Sequence, residues 1–241
     1  MVQNENTRTE LLIGNEGLQK LRNACVLVVG VGGVGSFAAE ALARTGIGHL
    51  ILIDNDAVSL SNLNRQIMAV YDTVNIDKTK AMQDRIASYS KCRVDAVNRF
   101  FDAEDMSEIQ RADFVIDAID TITSKLDLIE ACHLNNTPSI HSLGMGNRLD
   151  PSSVKTALLD KTSGDPLARC MRSAARKRKI DYPIYVLFSD ETPHVQNQIV
   201  DPEGATRKEQ IPPASCIFVP ATAGLLAASV CVRYILKGTF E

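Results

Sequence analysis

The sequence predicts an α/β fold, a doubly wound, Rossmann-like and mainly parallel sheet with an irregular C-terminal extension. Short and wholly apolar runs, of which CVLVV at 25–29 is the first, are typical of buried parallel strands. Segments with helical periodicity alternate with these runs, as in sheets that carry helices on both faces. A glycine-rich turn follows the first run and opens the first of these helices.

The order of elements is read from periodicity and from breaker residues. The predicted strands cover 25–29, 50–53, 93–98, 114–116, 139–143, 154–159 and 184–188. The predicted helices run to about residue 45 after the glycine turn and over 78–89, 121–135, 166–178 and 221–236. Residues 189–215 are polar and proline-containing and are predicted to form a mobile or function-bearing loop. No linker rich in Gly or Ser divides the chain, so one domain over 1–241 is expected, with a nucleotide-binding core at about 7–143 and a substrate-binding extension at about 144–241.

Composition excludes several classes of protein. Hydrophobic residues make up 45% of the 241 residues, enough for one sizeable core. The 26 basic and 29 acidic groups leave a net charge of −3, so any nucleic-acid contact must come from a local patch. The polar N-terminus carries no signal-peptide pattern, which favours a cytoplasmic protein. Residues 211–232 lack charge and could span a bilayer by length, but their prolines favour a loop, a short strand and a buried helix.

The cysteines indicate a reducing compartment and no zinc site. No two of them are spaced as CxxC, and most lie in apolar runs. The six are Cys25, Cys92, Cys132, Cys170, Cys216 and Cys231. The four histidines are dispersed without metal-ligand spacing, and His141 is expected to be structural although it ends a predicted strand near the site.

The turn GVGGVG at 30–35 predicts a nucleotide phosphate site. Gly30 permits the tight turn, Gly32 and Gly33 let phosphate oxygens approach the backbone, and Gly35 permits close packing of helix on strand. The helix N-terminus offers free N–H groups to an anion. Asp54 ends the next strand and suits the ribose hydroxyls. Both NAD and ATP use such a loop, so the turn alone leaves the nucleotide open.

The residues that follow Asp54 favour ATP over NAD. A dehydrogenase has no need of the polar run that carries Arg65, and Lys78 follows at the start of a helix. Asp120 closes another strand, and ligands bind at the carboxyl ends of strands in such sheets. Two cations suit a triphosphate, and a carboxylate at a strand end suits magnesium. Each cation taken alone could equally be a surface charge.

These motifs together resemble the HesA/MoeB/ThiF superfamily, the bacterial relatives of ubiquitin-activating enzymes. The resemblance rests on GVGGVG, LIDND, SNLNRQ, Lys78 and DAID. It implies adenylation of a carboxylate with ATP and magnesium. The implied ATP-binding residues are Gly30, Gly32, Gly33, Gly35, Asp54, Asp56, Ser61, Asn62, Arg65, Gln66, Lys78, Asp120 and Thr121. The implied catalytic residues are Arg8, Arg65, Lys78 and Asp120, with Asp120 holding magnesium.

The same resemblance implies a homodimer and extends into the second half of the chain. Arg8 matches an N-terminal arginine that reaches across a dimer interface in this superfamily. The segments RTELLIGNEGL, RTGIGHL, SLGMGNRLDP, DPLARCMR, VLFSDETP and IFVPATAGLLAAS resemble its tRNA threonylcarbamoyladenosine dehydratase branch. That branch implies tRNA as a partner and the cyclisation of threonylcarbamoyladenosine next to the anticodon. It also implies a cysteine desulfurase system or sulfur-acceptor protein as a further partner.

A basic helix is the candidate tRNA contact. Its cations are Arg169, Arg172, Arg176, Lys177, Arg178 and Lys179. The three-and-four spacing of the first three places them on one helical face, which could track RNA phosphates, although a solvated face is the ordinary reading of such a run. No aromatic residues are interleaved with these cations, so backbone contact is expected instead of base stacking.

Four functions compete at this point. An ATP-dependent tRNA-modifying enzyme is the expectation. The alternative is adenylation of the C-terminus of a ubiquitin-like sulfur carrier protein, against which the missing CxxC pairs and the basic helix count. A nucleotide-sensing scaffold does not explain a complete set of ATP-site residues. A dehydrogenase does not explain the SNLNR run.

Overall fold

A computed structural model describes residues 3–102, 106–197 and 213–240. The apolar runs form one sheet, whose strands are β1 (Cys25–Val29), β2 (His49–Asp54), β3 (Arg93–Asn98), β4 (Phe114–Asp117), β5 (Ser139–Ser142), β6 (Val154–Leu158) and β7 (Tyr185–Ser189). Their order is β3-β2-β1-β4-β5-β7-β6. Neighbouring strands are parallel except for β6, which pairs antiparallel with β7. The predicted doubly wound and mainly parallel sheet is confirmed.

Seven helices within the described residues surround this sheet. They are α1 (Thr7–Asn23), α2 (Gly35–Thr45), α3 (Lys78–Ala87), α4 (Ser107–Arg111), α5 (Ile122–Leu134), α6 (Pro166–Lys177) and α7 (Phe218–Lys237). Short 3-10 helices cover Leu60–Asn62, Tyr71–Thr73, Pro151–Ser153 and Leu159–Lys161. The predicted helices are all present and differ from these bounds by a few residues at their ends, where fraying and capping decide the assignment.

The core follows from the alternation of side chains along β1. Val26 and Val28 belong to the cluster on the face that α2 and α7 cover. Cys25, Leu27 and Val29 belong to the cluster on the opposite face, with residues of α5. Successive side chains of a strand point to opposite faces, so a strand covered on both sides must be apolar throughout. All five residues of β1 are accordingly buried.

Helix α7 closes one face of the sheet and packs most extensively on α2. A Cβ on Gly224 would lie 2.3 Å from the carbonyl oxygen of Val34, so only glycine permits this approach. By length and composition α7 is also the one helix in the described part of the chain that could cross a membrane. The prediction of a buried helix is confirmed, whereas the predicted short strand is wrong for 213–232, where irregular chain leads directly into α7. Residues 211 and 212 lie outside the described residues.

The C-terminal extension contains the strands predicted at 154–159 and 184–188 and the helix predicted at 166–178. It adds β6 and β7 to the sheet and places α6 against α5. Of the predicted loop at 189–215, residues 190–197 and 213–215 have no helix or strand, and residues 198–212 lie outside the described residues.

The N-terminal segment forms helix α1, which is interrupted at one glycine. Gly14 interrupts α1 with φ of 74° and ψ of 168°. Beyond this break Leu18 and Leu21 are buried, as expected for a helix that leads into the sheet. Before it, Leu11 and Leu12 are 66% and 84% exposed.

Candidate nucleotide site

The glycine turn between β1 and α2 forms a phosphate-type cradle. Gly30 has φ of +89°, and a Cβ there would lie 2.6 Å from the carbonyl oxygen of Ala118. A Cβ on Gly35 would lie 1.8 Å from the carbonyl oxygen of Gly30. Both glycines therefore have the steric roles that the sequence predicts. No side chain caps the N-terminus of α2, and the N–H of Ser36 in its first turn donates to the carbonyl of Gly32 at 3.1 Å. The positive end of the helix dipole still points to where an anion would bind.

Asp54 and Lys78 meet beside this turn. Asp54 Oδ2 accepts a hydrogen bond from the N–H of Val31 at 2.6 Å, and its Oδ1 accepts one from the N–H of Asp56 at 2.9 Å. Lys78 Nζ lies 2.6 Å from Asp56 Oδ2 and 3.9 Å from Asp54 Oδ1. The Lys78 side chain is only 8% exposed, so these carboxylates compensate a buried charge at the place predicted for the nucleotide.

The SNLNRQ segment, residues 61–66, begins within the 3-10 helix Leu60–Asn62 and supplies a second cation. Arg65 donates to the carbonyl of Ser61 at 2.9 Å and to Asn64 Oδ1 at 3.1 Å. Asn62 is buried and its Oδ1 accepts from the N–H of Ser59, which orders the segment. Ser61 is exposed.

Gln66 lies against the glycine turn. Its residue is 6% exposed and its Oε1 has no hydrogen-bond partner among the described residues. Its Nε2 lies 3.9 Å from where a Cβ on Gly32 would be. An unpaired buried acceptor is costly, so this amide is a candidate for contact with a ligand.

Asp120 and Thr121 lie just beyond β4, whose end packs on Gly30. Both are exposed, and Thr121 Oγ1 donates to Asp120 Oδ1 at 3.2 Å. No group of three acidic, His or Cys side chains in the described residues could hold a metal ion unaided. A single carboxylate just beyond a strand end nevertheless fits magnesium, which is commonly bound by one or two carboxylates together with substrate phosphates.

Sequence reasoning missed the buried ion pair behind Asp120. Lys125 Nζ and His141 Nδ1 each lie 2.8 Å from Asp117 Oδ2, and all three side chains are buried. Asp117 Oδ1 accepts from the N–H of Ile119, which shapes the DAID turn. His141 Nε2 lies 2.9 Å from Ser139 Oγ, beside a cavity of about 230 Å³ at the amino-terminal ends of β5 and β7. The DAID run could have indicated a role for Asp117, whereas no neighbouring residue in the sequence indicates that Lys125 is buried.

Burial and neighbouring charges determine the titration of this network. Burial would raise the pKa of Asp117, but the charge of Lys125 and the hydrogen bond with His141 outweigh it and hold that pKa below its ordinary value. Burial and the charge of Lys125 together lower the pKa of His141 more than Asp117 raises it. His141 is therefore neutral near pH 7, with the hydrogen on Nδ1 facing Asp117 and Nε2 accepting from Ser139.

Sequence reasoning also missed Arg148, which organises the loops at the carboxyl edge of the sheet. Its guanidinium, 3% exposed, donates to the carbonyls of Gly144, Gly146 and Glu191. It also lies 3.1 Å from Asp165, whose side chain caps α6. The loops after β5 and β7 are thus fixed to the start of α6.

The structure divides the predicted basic helix into two groups of cations. Arg172 binds the carbonyls of Leu159 and Thr162, and Arg178 pairs with Asp127 and Glu130. These two therefore hold the helix in place. The remaining cations are exposed, and the described residues give them no ion pair; they are Arg169, Arg176, Lys177 and Lys179.

Arg8 lies in the first turn of α1 and is exposed, near the exposed Leu11 and Leu12. Within one chain no described contact brings it to the glycine turn.

The fold and this site together define a doubly wound α/β protein with a nucleotide-type site at the carboxyl edge of its sheet. The model of the ThiF family matches residues 5–238. The chain therefore belongs to the ThiF family.

Its similarity to characterised proteins extends over nearly the whole chain. The tRNA threonylcarbamoyladenosine dehydratase of Bacillus subtilis is 42% identical over 239 residues, which cover 96% of this chain and 94% of that protein. The solved structure of E. coli tRNA N6-threonylcarbamoyladenosine dehydratase, TcdA, in complex with ATP is similar with a TM-score of 0.84 and 34% identity, over 97% of this chain and 94% of that one. Its complex with AMP gives 0.85 and 33%, over 96% and 93%.

The low pKa of His141 predicts a pH dependence of stability. In the unfolded chain a histidine takes up its proton near pH 6.5, whereas folded His141 takes up its proton only at a lower pH, so the unfolded state binds more protons as the pH falls. The free energy of unfolding should fall as pH is lowered from 7 to 5.5, by up to about 1.4 kcal/mol per pH unit from this group.

Urea unfolding of the wild type and of His141→Asn across that range measures this effect. The asparagine variant should lose that part of the slope, and His194→Asn serves as the comparison for replacing an exposed histidine. Equal slopes for wild type and His141→Asn would contradict the assignment.

Proposed function

We propose that this chain is an ATP-dependent tRNA threonylcarbamoyladenosine dehydratase. It adenylates the threonylcarbamoyl carboxylate of threonylcarbamoyladenosine next to the anticodon and cyclises it with loss of water. The observation that carries the proposal is the meeting of Asp54 and Lys78 beside the glycine turn, at the carboxyl edge of the sheet where ligands bind in such folds. Asp120 lies just beyond the carboxyl end of β4. The relatives that match along the whole chain support the substrate.

The reaction is an activation followed by a ring closure. A carboxylate oxygen attacks the α-phosphorus of ATP and pyrophosphate leaves. A nitrogen or oxygen within the same side chain then attacks the activated carbonyl carbon and gives up its proton. AMP departs with the former carboxylate oxygen, so the nucleoside loses one water. The enzyme must mainly position the groups and stabilise charge.

The residues of the site suit this chemistry. The N–H groups of the glycine turn, Arg65 and Lys78 would hold the phosphates, with Ser61, Asn62 and Gln66 beside them. Asp54 and Asp56 would bind the ribose. Asp120 would hold magnesium, which neutralises charge on the phosphates when bound, and Thr121 would bind ATP beside it.

The extension, residues 144–241, would bind the RNA, with its exposed basic helix cations along the phosphate backbone. We also infer a homodimer in which Arg8 enters the site of the partner subunit. The exposed Leu11 and Leu12 beside it offer apolar surface for such an interface. A cytoplasmic location fits a tRNA substrate, and a desulfurase system or sulfur-acceptor protein stays a predicted partner.

Incubation with magnesium ATP and tRNA that carries threonylcarbamoyladenosine tests the reaction. Nucleoside mass spectrometry should show the loss of one water from that nucleoside. Asp120→Ala should slow the loss of water at least about a hundredfold, because the magnesium that neutralises charge on the phosphates would lose its protein ligand. Asp84→Ala, which changes an exposed carboxylate on α3, is the matched control and should leave the rate unchanged.

An unchanged nucleoside mass in the complete wild-type reaction would overturn the proposal. Adenylation of a sulfur carrier C-terminus by the same protein would then favour the alternative function.

The exposed basic helix cations should set the salt dependence of tRNA binding. Arg169→Gln, Arg176→Gln and Lys177→Gln together should weaken binding and reduce the slope of log K against log salt by about 2 to 3 if each lost a phosphate contact. Arg172 is not replaced in this variant, because it binds main-chain carbonyls and holds the helix in place. The control is a variant in which three exposed lysines elsewhere in the fold, Lys20, Lys80 and Lys91, are replaced by Gln. It loses the same charge as the first triple variant. Equal slopes for the two triple variants would show that this helix is not the RNA contact.

Mixing two inactive variants tests the shared site. If Arg8 acts in the partner's site, a mixed dimer of Arg8→Ala and Lys78→Ala chains holds one intact site. Half of the dimers in an equimolar, fully exchanged mixture are mixed, so about a quarter of wild-type activity should return. Mixing Arg8→Ala with the Arg8→Ala/Lys78→Ala double variant should restore none. No recovery despite verified subunit exchange would place Arg8 outside the partner's site.

A further inference from the structure

Asn64 bridges the nucleotide site and the segment that leads into α7. Its Nδ2 donates to the carbonyl oxygen of Ser215 at 2.9 Å, across 151 residues of chain. Its Oδ1 accepts from Arg65 at 3.1 Å. Asn64 is therefore in contact with a cation of the site on one side and with the C-terminal part of the chain on the other.

These two partners fix the orientation of the amide. A main-chain carbonyl can only accept, and a guanidinium can only donate. Turning the amide over would place its oxygen against the Ser215 carbonyl and its NH₂ against Arg65, so both contacts would become repulsive. The carbonyl of Ser215 thus directs Asn64 Oδ1 toward Arg65.

Arg65 is oriented by neutral acceptors. Its described partners are the carbonyl of Ser61 and the amide of Asn64, and no carboxylate in the described residues forms an ion pair with it. Its aliphatic part lies 3.7 Å from where a Cβ on Gly33 would be. Neutral acceptors hold the guanidinium beside the glycine turn and leave its positive charge uncompensated for an anion. Lys78, in contrast, is paired with Asp56.

The Ser215 carbonyl is itself held in place. The preceding residue, Ala214, donates its N–H to Asn147 Oδ1 at 3.0 Å and accepts from the N–H of Asn147 at 2.6 Å. Asn147 has φ of +60° and also accepts from the N–H of His194. The position of residues 213–215 therefore determines where Asn64 can find its acceptor.

We propose that Asn64 is a positioning residue for the ATP site, whose side-chain amide sets the guanidinium of Arg65 and couples it to the 213–215 segment. This inference rests on the proposed function, which places Arg65 at the triphosphate. Asn64 itself needs no contact with the nucleotide.

A double-mutant cycle in magnesium ATP binding tests the coupling. Asn64→Ala should weaken ATP binding roughly five- to tenfold, the range expected when one hydrogen bond is lost. In an Arg65→Ala background the same change should have almost no further effect. A merely structural role of Asn64 would instead lower the unfolding temperature and weaken ATP binding equally in both backgrounds. Arg65→Gln replaces Arg65→Ala if the alanine variant does not fold.

Three variants separate the two sides of the bridge. Asn64→Asp should weaken ATP binding at least as much as Asn64→Ala, because a carboxylate neutralises Arg65 and repels phosphate. Asn147→Gly keeps the left-handed backbone but removes the acceptor for Ala214, so it should weaken ATP binding only when Asn64 is present. Ser215→Ala keeps the main-chain carbonyl and should bind ATP as the wild type does.

The outcomes distinguish this inference from the proposed function. Equal losses from Asn64→Ala in both backgrounds, or no loss in the wild-type background, would overturn the positioning role while leaving the tRNA reaction untouched. If Asn64 and Arg65 are coupled in ATP binding but the modified nucleoside of the tRNA loses no water, the positioning role stands and the proposed function is overturned. A wild-type protein that binds no ATP would overturn both.

Discussion

The site depends on how closely other segments approach the backbone of the β1–α2 turn. The Ala118 carbonyl, at the end of β4, occupies the space that a Cβ on Gly30 would need. Pro220, in the first turn of α7, lies 3.1 Å from where a Cβ on Gly33 would be. A larger residue at either glycine would separate the phosphate cradle from the strand end that leads to Asp120 or from α7. Because these glycines have no side chains, other segments can approach the turn closely, which sets the spacing of the whole site. An anion also gains access to the backbone for the same reason.

The charged side chains behind the site are paired with one another, whereas the two cations within it differ in how far their charge is compensated. Asp117 is paired with Lys125 in the interior, where removing one partner would leave an uncompensated charge at a cost of about 3–5 kcal/mol. Lys78 is nearly buried and held by Asp56, so a phosphate would have to compete for it. Arg65 meets only neutral acceptors and keeps its full charge for a ligand. The interior pair fixes the DAID turn through the N–H of Ile119, while the two site cations differ in how freely they can meet an anion.

Local patterns predicted the elements and the steric roles of the glycines, because both depend on neighbouring residues in the chain. The strand at 25–29 was predicted with its observed bounds for this reason. The sequence could not show that Lys125 is buried, because its partner Asp117 belongs to another element. For the same reason the spacing of Arg172 on α6 suggested an RNA face, whereas carbonyls from the preceding 3-10 segment bind it. Side chains whose partners lie on another element were thus the ones misjudged.

The extension belongs to the site because buried contacts fix it to the sheet. Arg148 joins the loop after β5 to Asp165, the residue that caps α6. Both partners are nearly inaccessible, so the start of the basic helix has little freedom to move relative to the carboxyl edge. The residue that precedes Arg148, Asn147, holds the segment from which the Ser215 carbonyl reaches Asn64. An RNA bound along α6 would therefore be held at a fixed distance from the nucleotide, as transfer between two large substrates requires.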